Sequence, residues 1–245
     1  MRRRGGKNII DINKYFDNIY CLNLDSRADR WKAVSKRFKK YGIRANRVSA
    51  VDGNSKENIA RYKSIVKKDK HHKKLGYKLI RSPGALGCIL SYRKIINDAR
   101  LNGYKKILIL EDDVIFSKKF TEEFSNISSL TKNWKLLYLG ASQHDWSGVK
   151  IGRSEFYNAW HSQGTFAIGI DCSIYSEILH ITNKPGIPID SCLAVNIQKK
   201  YKNKCFVFYP NIVIADVSNS DIRSDVRDIG THSKLMRWRL NRYDI

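Results

Sequence analysis

Short apolar runs alternate with longer amphipathic segments along the chain, and this pattern predicts strands and helices in turn. The runs are rich in β-branched residues, as strands usually are. In chain order, the predicted strands are 18–24, 44–48, 107–110, 134–140, 165–170 and 206–209. The predicted helices between them are 25–42, 82–102, 118–129, 173–180 and 191–200. This order predicts an α/β fold, a Rossmann-like α/β/α sandwich with a mostly parallel central sheet.

Two of the predicted helices have recognisable starts. Asp25-Ser26 is a natural helix cap for the first, and Ser82-Pro83 opens the second, which runs to about residue 102. Between them, the lysine-rich stretch 54–78 has weak periodicity, and we expect either a mobile excursion or a small helical insertion. We expect the chain to divide as follows: a basic flexible N-terminus over 1–17, one domain over 18–230, and a basic C-terminal helix or tail over 231–245.

The strand at 107–110 ends in three consecutive carboxylates, Glu111-Asp112-Asp113. Its continuous apolar run predicts a strand buried on both faces, and ligands of open α/β sheets bind at the carboxyl ends of such strands. If the chain stays extended there, Glu111 and Asp113 point to one side and Asp112 to the other. Three crowded anions need a compensating cation, so we predict Mg²⁺ or Mn²⁺ and a phosphate-bearing substrate.

Composition and charge limit which kinds of protein this chain can be and which partners it can bind. The chain has 245 residues, 42% of them hydrophobic, which is enough for one sizeable core. The formal net charge of +23 favours an anionic partner: nucleic acid, anionic lipid or a nucleotide-linked substrate. Five dispersed cysteines without a C-x-x-C pair argue against disulfides and a zinc ribbon. Without an apolar run of membrane-spanning length or a signal-peptide core, we expect a cytoplasmic protein, with room for peripheral association with a membrane, envelope or viral assembly site.

Four ordered motifs resemble glycosyltransferase family 25, which includes lipooligosaccharide galactosyltransferases and procollagen galactosyltransferases. In chain order the motifs are Asn23-Leu24 with Arg27 and Asp29-Arg30, Ala50-x-Asp52-Gly53, Pro83-Gly84-x-x-Gly87-Cys88-x-x-Ser91, and Leu110-Glu111-Asp112-Asp113-Val114-x-Phe116. The segments Gly164-Thr165, Pro188-x-Asp190 and Ser220-Asp221-Ile222 look like later parts of the same family. The resemblance spans about residues 18–222. Two positions depart from it, since the family often has Glu at position 85 and His at position 92, where this chain has Ala85 and Tyr92.

The resemblance implies a GT-A fold that transfers a hexose, galactose or glucose, from a UDP-sugar with inversion, using Mn²⁺ or Mg²⁺. It implies that Asp113 is the main metal ligand, assisted by Asp112, and that His232 or Asp221 completes the set. The residues implied to bind the nucleotide sugar are Asn23, Leu24, Arg27, Arg30, Asp52, Gly53, Gly84, Ser91, Glu111, Asp112 and Asp221. The acceptor stays open between a glycan, a lipid-linked sugar and a collagen-like protein carrying hydroxylysine.

An inverting transfer also needs a base for the acceptor hydroxyl, and we select Asp190. It follows the stiff apolar stretch 185–189 and precedes a predicted helix, so a plain helix cap is the alternative for the same residue. Trp146, Trp160 and His161 flank a polar loop and could line an acceptor site, although core packing suits them as well.

Two other functions are compatible with the sequence. The surplus of basic residues and the aromatics among them fit a nucleic-acid-binding protein or a metal-dependent nuclease that uses the same acids. No nucleic-acid motif accompanies them, so nucleic acid is the less favoured partner. An inactive family member that only binds UDP-sugar is the second alternative, because Ala85 and Tyr92 depart from the family pattern.

Overall fold

The computed structural model describes residues 8–68, 74, 79–152, 154–218, 220–222 and 228–245. The helices are α1 Ile12–Tyr15, α2 Ala28–Tyr41, α3 Lys56–Lys68, α4 Pro83–Leu101, α5 Phe120–Phe124, α6 Tyr175–Ile181, α7 Ile189–Leu193 and α8 Ile229–Met236. Short 3₁₀ segments cover Ser125–Ser129, Cys172–Ile174 and Leu240–Arg242, and a π-helical turn covers Ala194–Gln198. The strands are β1 Asn18–Asn23, β2 Asn46–Ser49, β3 Lys106–Glu111, β4 Val114–Phe116, β5 Leu136–Tyr138, β6 Phe156–Asn158, β7 Ala167–Asp171, β8 Cys205–Phe208 and β9 Val213–Ala215.

Within the described residues, seven strands form one sheet in the order β2-β1-β3-β7-β5-β8-β6. Strands β2, β1, β3, β5 and β8 run in one direction, whereas β7 and β6 are antiparallel to their neighbours. Strands β4 and β9 form a separate antiparallel pair. The mostly parallel α/β sheet that the sequence predicts is therefore confirmed, and one reversed strand, β7, lies between β3 and β5.

Strand β3 is the centre of the core. Its four apolar residues from Ile107 to Leu110 are fully buried, because alternate side chains face the helix layers on the two sides of the sheet. Leu108 packs with side chains of α2 and α5, whereas Ile109 packs with those of α4 and α6. The buried double-faced strand predicted from the sequence is thus confirmed, and its carboxyl end delivers the three acids to the sheet edge.

Helix α4 also begins as predicted. Ser82 is its N-cap and accepts a hydrogen bond from the backbone N–H of Ala85, and Pro83 occupies the first turn. The lysine-rich segment contains helix α3, the second of the two expected alternatives, over the residues of it that the structure describes. His71 and His72, which add to this basic segment, lie outside the described residues.

Three local predictions were wrong. Asp25 does not cap α2, which begins at Ala28; its carboxylate instead accepts hydrogen bonds from Arg47 and Ser49. The expected flexible N-terminus includes α1, whose Ile12 is buried in the core, so the described part of that segment is packed. The short strands β4, β6 and β9 were not predicted, whereas β5, also of three residues, lies within the predicted strand 134–140.

The structure also tests the expectations about disulfides and membrane-spanning helices. The five cysteines are all unpaired. Across the part of the chain that the structure describes, no helix combines the length and the apolar character needed to cross a bilayer.

Candidate active site

A cleft opens at the carboxyl ends of β1 and β3, at the sheet edge where ligands of α/β proteins bind. Its empty volume is about 700 Å³, including some open solvent, which is in the range of small-molecule sites. Eleven of the residues predicted to bind donor or metal line it, namely Asn23, Leu24, Arg30, Asp52, Gly53, Gly84, Ser91, Glu111, Asp112, Asp113 and Asp221. Five segments that are far apart in sequence thus meet on one surface.

Glycines let two walls of the cleft approach at backbone distance. A Cβ on Gly53 would lie 2.0 Å from the carbonyl oxygen of Pro83, and one on Gly87 would lie 2.5 Å from that of Val51. Ser91 reinforces this contact, because its hydroxyl accepts a 2.8 Å hydrogen bond from the N–H of Val51. The glycines and the serine therefore join the 50–53 loop to helix α4, and the cleft is shaped by this contact.

Asp112 is held by two partners from the first part of the chain. Its Oδ2 accepts a 2.7 Å hydrogen bond from Asn23 Nδ2, and its Oδ1 lies 3.0 Å from Arg30 Nη1. Asn23 is oriented in turn by Arg47, whose Nε donates to its amide oxygen. The chain does not stay extended after β3: Asp112 and Asp113 form the turn that leads to β4, so the expected alternation of side chains does not apply.

Glu111 and Asp113 carry unusual electrostatics. Burial, together with the charges of Asp113 and Asp112, raises the pKa of Glu111 to about 8, although Thr165 Oγ1 donates a 3.2 Å hydrogen bond to it. Burial also raises the pKa of Asp113 to about 7, against the opposing effect of Arg30. Asp113 Oδ1 is buried without a hydrogen-bond partner among the described residues. A cation placed beside this carboxylate would supply the missing interaction.

Asp190 lies beside the same acids but does not cap a helix. Its Oδ1 accepts a 2.7 Å hydrogen bond from the N–H of Ser191, and its Oδ2 lies 3.5 Å from the N–H of Gly164. Helix α7 begins at Ile189 with no side-chain cap, so the alternative of a plain cap for Asp190 is wrong. The charge of Asp190 contributes to the raised pKa of Glu111, and consecutive residues connect the two, since Gly164 N–H approaches Asp190 and Thr165 Oγ1 donates to Glu111.

Two arginines converge on Asp221. Arg27 Nη1 lies 2.6 and 2.7 Å from the two carboxylate oxygens, and Arg30 Nη1 lies 3.3 Å from one of them. The backbone of this segment also approaches Gly84, where a Cβ would lie 3.0 Å from the carbonyl oxygen of Asp221. A carboxylate thus occupies the position between two guanidinium groups where a phosphate would also fit.

The model of the family described as "Glycosyltransferase family 25 (LPS biosynthesis protein)" matches residues 16–166, which is more than half of the chain. The chain belongs to glycosyltransferase family 25. The resemblance seen in its ordered motifs is therefore confirmed, and the matched segment contains β1, α4, β3 and the acid triplet.

Among curated proteins, the chain is 29% identical over 135 residues to procollagen galactosyltransferase 1 of Danio rerio, covering 51% of this chain and 21% of that protein. It is 32% identical over 133 residues to the procollagen lysyl hydroxylase and glycosyltransferase of Acanthamoeba polyphaga mimivirus, covering 49% and 14%. The family also contains a probable inactive member 3 of Rattus norvegicus, 26% identical over 133 residues, covering 52% and 23%. The chain therefore spans only about a fifth or less of the length of these relatives.

One solved structure resembles the fold more distantly. It is a glycosyltransferase involved in the glycosylation of the major capsid of PBCV-1, with 11% sequence identity and a TM-score of 0.38. The alignment covers 78% of this chain and 91% of that one.

The two family positions that differ here lie away from the open cleft. The hydroxyl of Tyr92 donates a 2.6 Å hydrogen bond to the carbonyl oxygen of Thr165, and its ring is fully buried. Ala85 packs against the core from the first turn of α4. Neither residue lines the cleft. The same hydroxyl lies 3.5 Å from Glu111 Oε1, so Tyr92 contacts this cleft residue directly and also fixes the backbone of Thr165, whose hydroxyl binds Glu111.

The structure does not bring every predicted residue to the cleft. His232 lies on α8 with its ring 5.2 Å from that of Trp238 and 6.2 Å from that of His144, and it is not part of the cleft lining. In the described part of the chain, no group of three or more His, Cys, Asp or Glu side chains is placed to hold a metal ion. Arg27 and Asp190 do not line the cleft either. Arg27 contacts the cleft residue Asp221, whereas Asp190 contacts Gly164 and Ser191, which lie outside the lining.

Sequence reasoning missed two residues of the site. Arg47 orients Asn23, and the backbone N–H of Asp216 donates a 2.9 Å hydrogen bond to the carbonyl oxygen of Asp113, while the Asp216 charge raises the pKa of Asp113. A signal existed only for Arg47, which lies in the predicted strand 44–48 that pairs with β1. Asp216 follows β9, a strand that was not predicted. Trp146 is a packing residue, since Arg237 stacks 4.2 Å above its ring.

Proposed function

We propose that this chain is a metal-dependent glycosyltransferase that moves a hexose from a UDP-sugar to an acceptor hydroxyl, with inversion. The observation that carries the proposal is the single cleft in which the family's separate motifs meet beside the unpaired carboxylate oxygen of Asp113. The name of one relative, procollagen galactosyltransferase 1, supports galactose as the sugar, with glucose as the alternative hexose. Family membership favours this function over nucleic-acid binding.

The residues present fit a divalent cation held jointly with a diphosphate. Asp113 offers a buried carboxylate oxygen without a partner, and Mg²⁺ or Mn²⁺ is commonly bound by one or two carboxylates plus substrate phosphates. Such a site does not need three protein ligands, and no group of three is found among the residues that the structure describes. Both oxygens of Asp112 already have protein partners, so we assign it first to positioning Arg30. When bound, the cation would neutralise charge on the departing diphosphate.

The other side chains would bind and orient the donor. Arg27 and Arg30 present guanidinium groups that suit phosphate oxygens. Burial raises the pKa of Glu111, and its carboxyl lines the cleft, where it can form a hydrogen bond with a ribose or sugar hydroxyl. The joined loop at Asp52-Gly53 would form the wall beside the uridine, and the tight packing at Gly53 would keep that wall rigid.

Asp190 is the base that we assign to the acceptor hydroxyl. Its carboxylate is fixed by the N–H of Ser191 and lies near Gly164, next to the residue that binds Glu111. A base held on this side of the acid triplet can take the proton while the acceptor oxygen attacks the anomeric carbon opposite the departing diphosphate. The acceptor is a glycan, a lipid-linked sugar or a protein hydroxyl.

Titration of UDP against Asp113→Asn, with and without Mn²⁺, tests the proposal. The wild-type protein should bind UDP more tightly with Mn²⁺, and the variant should lose that gain while it stays folded. Asp244→Asn is the matched control, because its carboxylate pairs with Lys40 outside the cleft. A wild-type protein that binds no UDP under either condition would refute the proposal. UDP binding without any sugar transfer would instead indicate an inactive family member.

A further inference from the structure

Trp160 is an exposed aromatic residue at the start of segment 160–165, which leads to Gly164 beside Asp190, the proposed base. Trp160 is one of the large hydrophobic residues on the surface, and 39% of its area is accessible to solvent. A Cβ built on Gly148 would lie 2.3–2.4 Å from three atoms of its five-membered ring, nearly equidistant from them, so the Gly148 backbone lies over one face of the indole. The exposed area therefore belongs to the opposite face and the ring edges.

The loop around Trp160 is fixed by buried hydrogen bonds. Gln143 is buried, and its Nε2 donates a 2.7 Å hydrogen bond to the carbonyl oxygen of Trp160. Its Oε1 accepts a 2.6 Å hydrogen bond from the hydroxyl of Ser162. His161 adopts a left-handed backbone with φ of 48°, an arrangement that the surrounding contacts must hold in place. The exposed ring is thus presented by a rigid support.

Polar side chains surround the exposed ring. His161 is exposed, and its ring lies 5.1 Å from that of Trp160 at 89°. Asp145 is exposed on the facing loop; hydrogen bonds from Ser147, together with His161 and the indole of Trp160, lower the pKa of its carboxyl. An apolar ring flanked by a carboxylate and an imidazole matches a sugar ring, which has an apolar face and hydroxyl groups around its edge.

The segment from Trp160 to Thr165 leads directly to the proposed chemistry. Thr165 Oγ1 donates to Glu111, and the N–H of Gly164 lies 3.5 Å from Asp190. Gly164 is four positions after Trp160 in the chain, so their Cα atoms are at most about 14 Å apart. One acceptor molecule can therefore reach both places if it extends beyond a single sugar.

We propose that Trp160, with Asp145 and His161, forms a subsite for a sugar ring of the acceptor, and that the acceptor is therefore an oligosaccharide of two or more units. This inference rests on the proposed glycosyltransferase function and selects the glycan among its acceptors. The ring stacks on the open face of Trp160, and the flanking side chains bind its hydroxyls. The hydroxyl that receives the hexose lies near Asp190, in the next sugar unit or beyond.

A microarray of defined oligosaccharides, probed with the intact chain, tests the subsite. The wild-type protein should bind a related group of oligosaccharides, and Trp160→Ala should weaken that binding about tenfold, whereas Trp160→Phe should keep most of it. Leu101→Ala is the control: Leu101 is also an exposed apolar residue, but it lies about 25 Å along α4 from the cleft end of that helix. Its binding should equal that of the wild type.

The outcomes separate the subsite from the proposed function. Wild-type protein that binds no oligosaccharide, or Trp160→Ala protein that binds them as well as wild type, would overturn the inference. UDP binding measured on the same samples reports the donor site alone and should be the same in all four proteins. Oligosaccharide binding without UDP binding would leave the subsite in place and refute the proposed transferase.

Discussion

Arg30 and Asp112 form an ion pair of 3.0 Å in which both side chains are largely buried, with 14% and 9% of their side chains exposed. The pair joins helix α2 to the turn after β3, across 82 residues of sequence. It leaves Asp113 as the member of the acid triplet with a buried, unpaired oxygen. The three adjacent acids therefore have different tasks: Glu111 binds Thr165, Asp112 binds Arg30, and Asp113 faces the cleft.

Asp112→Asn should destabilise the protein. The substitution keeps the shape of the side chain but removes the charge from the hydrogen bond with Arg30, which should lower the free energy of unfolding by about 1.5–3 kcal/mol. Urea denaturation measures this difference. Asp244→Asn breaks a more exposed pair with Lys40 and should cost less than about 1 kcal/mol. Equal costs for the two substitutions would contradict the structural role of Asp112.

Gly53→Ala should disturb the wall of the cleft. Its Cβ would overlap the Pro83 carbonyl oxygen, so the 50–53 loop must move away from α4, at a cost of about 1–3 kcal/mol. UDP affinity should fall as well, because this loop lines the cleft. Gly152→Ala is the matched control, since no atom lies within 4 Å of its added Cβ, and its stability should stay within about 0.5 kcal/mol of wild type.

Asp190→Asn should separate binding from transfer. The amide keeps the size of the side chain but cannot accept the acceptor proton, so kcat should fall by about 10²–10⁴. UDP affinity should not change, because Asp190 lies outside the donor-cleft lining. The measurement is transfer of hexose from UDP-hexose to an oligosaccharide that the wild-type protein binds. A wild-type kcat in this variant would refute Asp190 as the base.

Asp221→Asn should strengthen UDP binding. The carboxylate now occupies Arg27 and Arg30 and would repel a diphosphate, so its neutralisation should improve the dissociation constant roughly fivefold, as about 1 kcal/mol of charge repulsion would give. Calorimetric titration of UDP measures this change. Asp29→Asn is a close control, because Asp29 also pairs with Arg27 but is mostly exposed and lies outside the cleft lining. Weaker UDP binding in Asp221→Asn would instead show that this carboxylate orients the arginines.

Sequence patterns predicted the fold where they had enough residues to show a period or a cap. Strand β3 and helix α4 were predicted nearly to the residue, since one is a continuous apolar run and the other begins with Ser82-Pro83. Strands β4, β6 and β9, of three residues each, escaped prediction. Asp25 was misassigned because a cap residue forms equally good hydrogen bonds with a neighbouring strand, and only the tertiary structure decides between them.

Motifs predicted most members of the site but not what each does. Gly53, Gly87 and Ser91 were recognisable from the family's motifs, yet they join a loop to a helix, and no local pattern reveals this role. The pairing of Arg30 with Asp112 depends on two segments that meet only after folding. His232 was assigned as a metal ligand from its residue type alone. The structure places it against aromatic side chains outside the cleft lining.

The reversed direction of β7 has a consequence for how this enzyme family can diversify. Because β7 runs against β3, the residues that enter β7 arrive at the same edge where β3 delivers its acids. The peptide between β5 and β7 can therefore be exchanged or lengthened without altering the strands that carry the donor-binding motifs. A lineage could acquire new acceptors by replacing this connection, which includes the edge strand β6, and chimaeras that swap residues 139–163 between relatives would leave Thr165 and its bond to Glu111 in place.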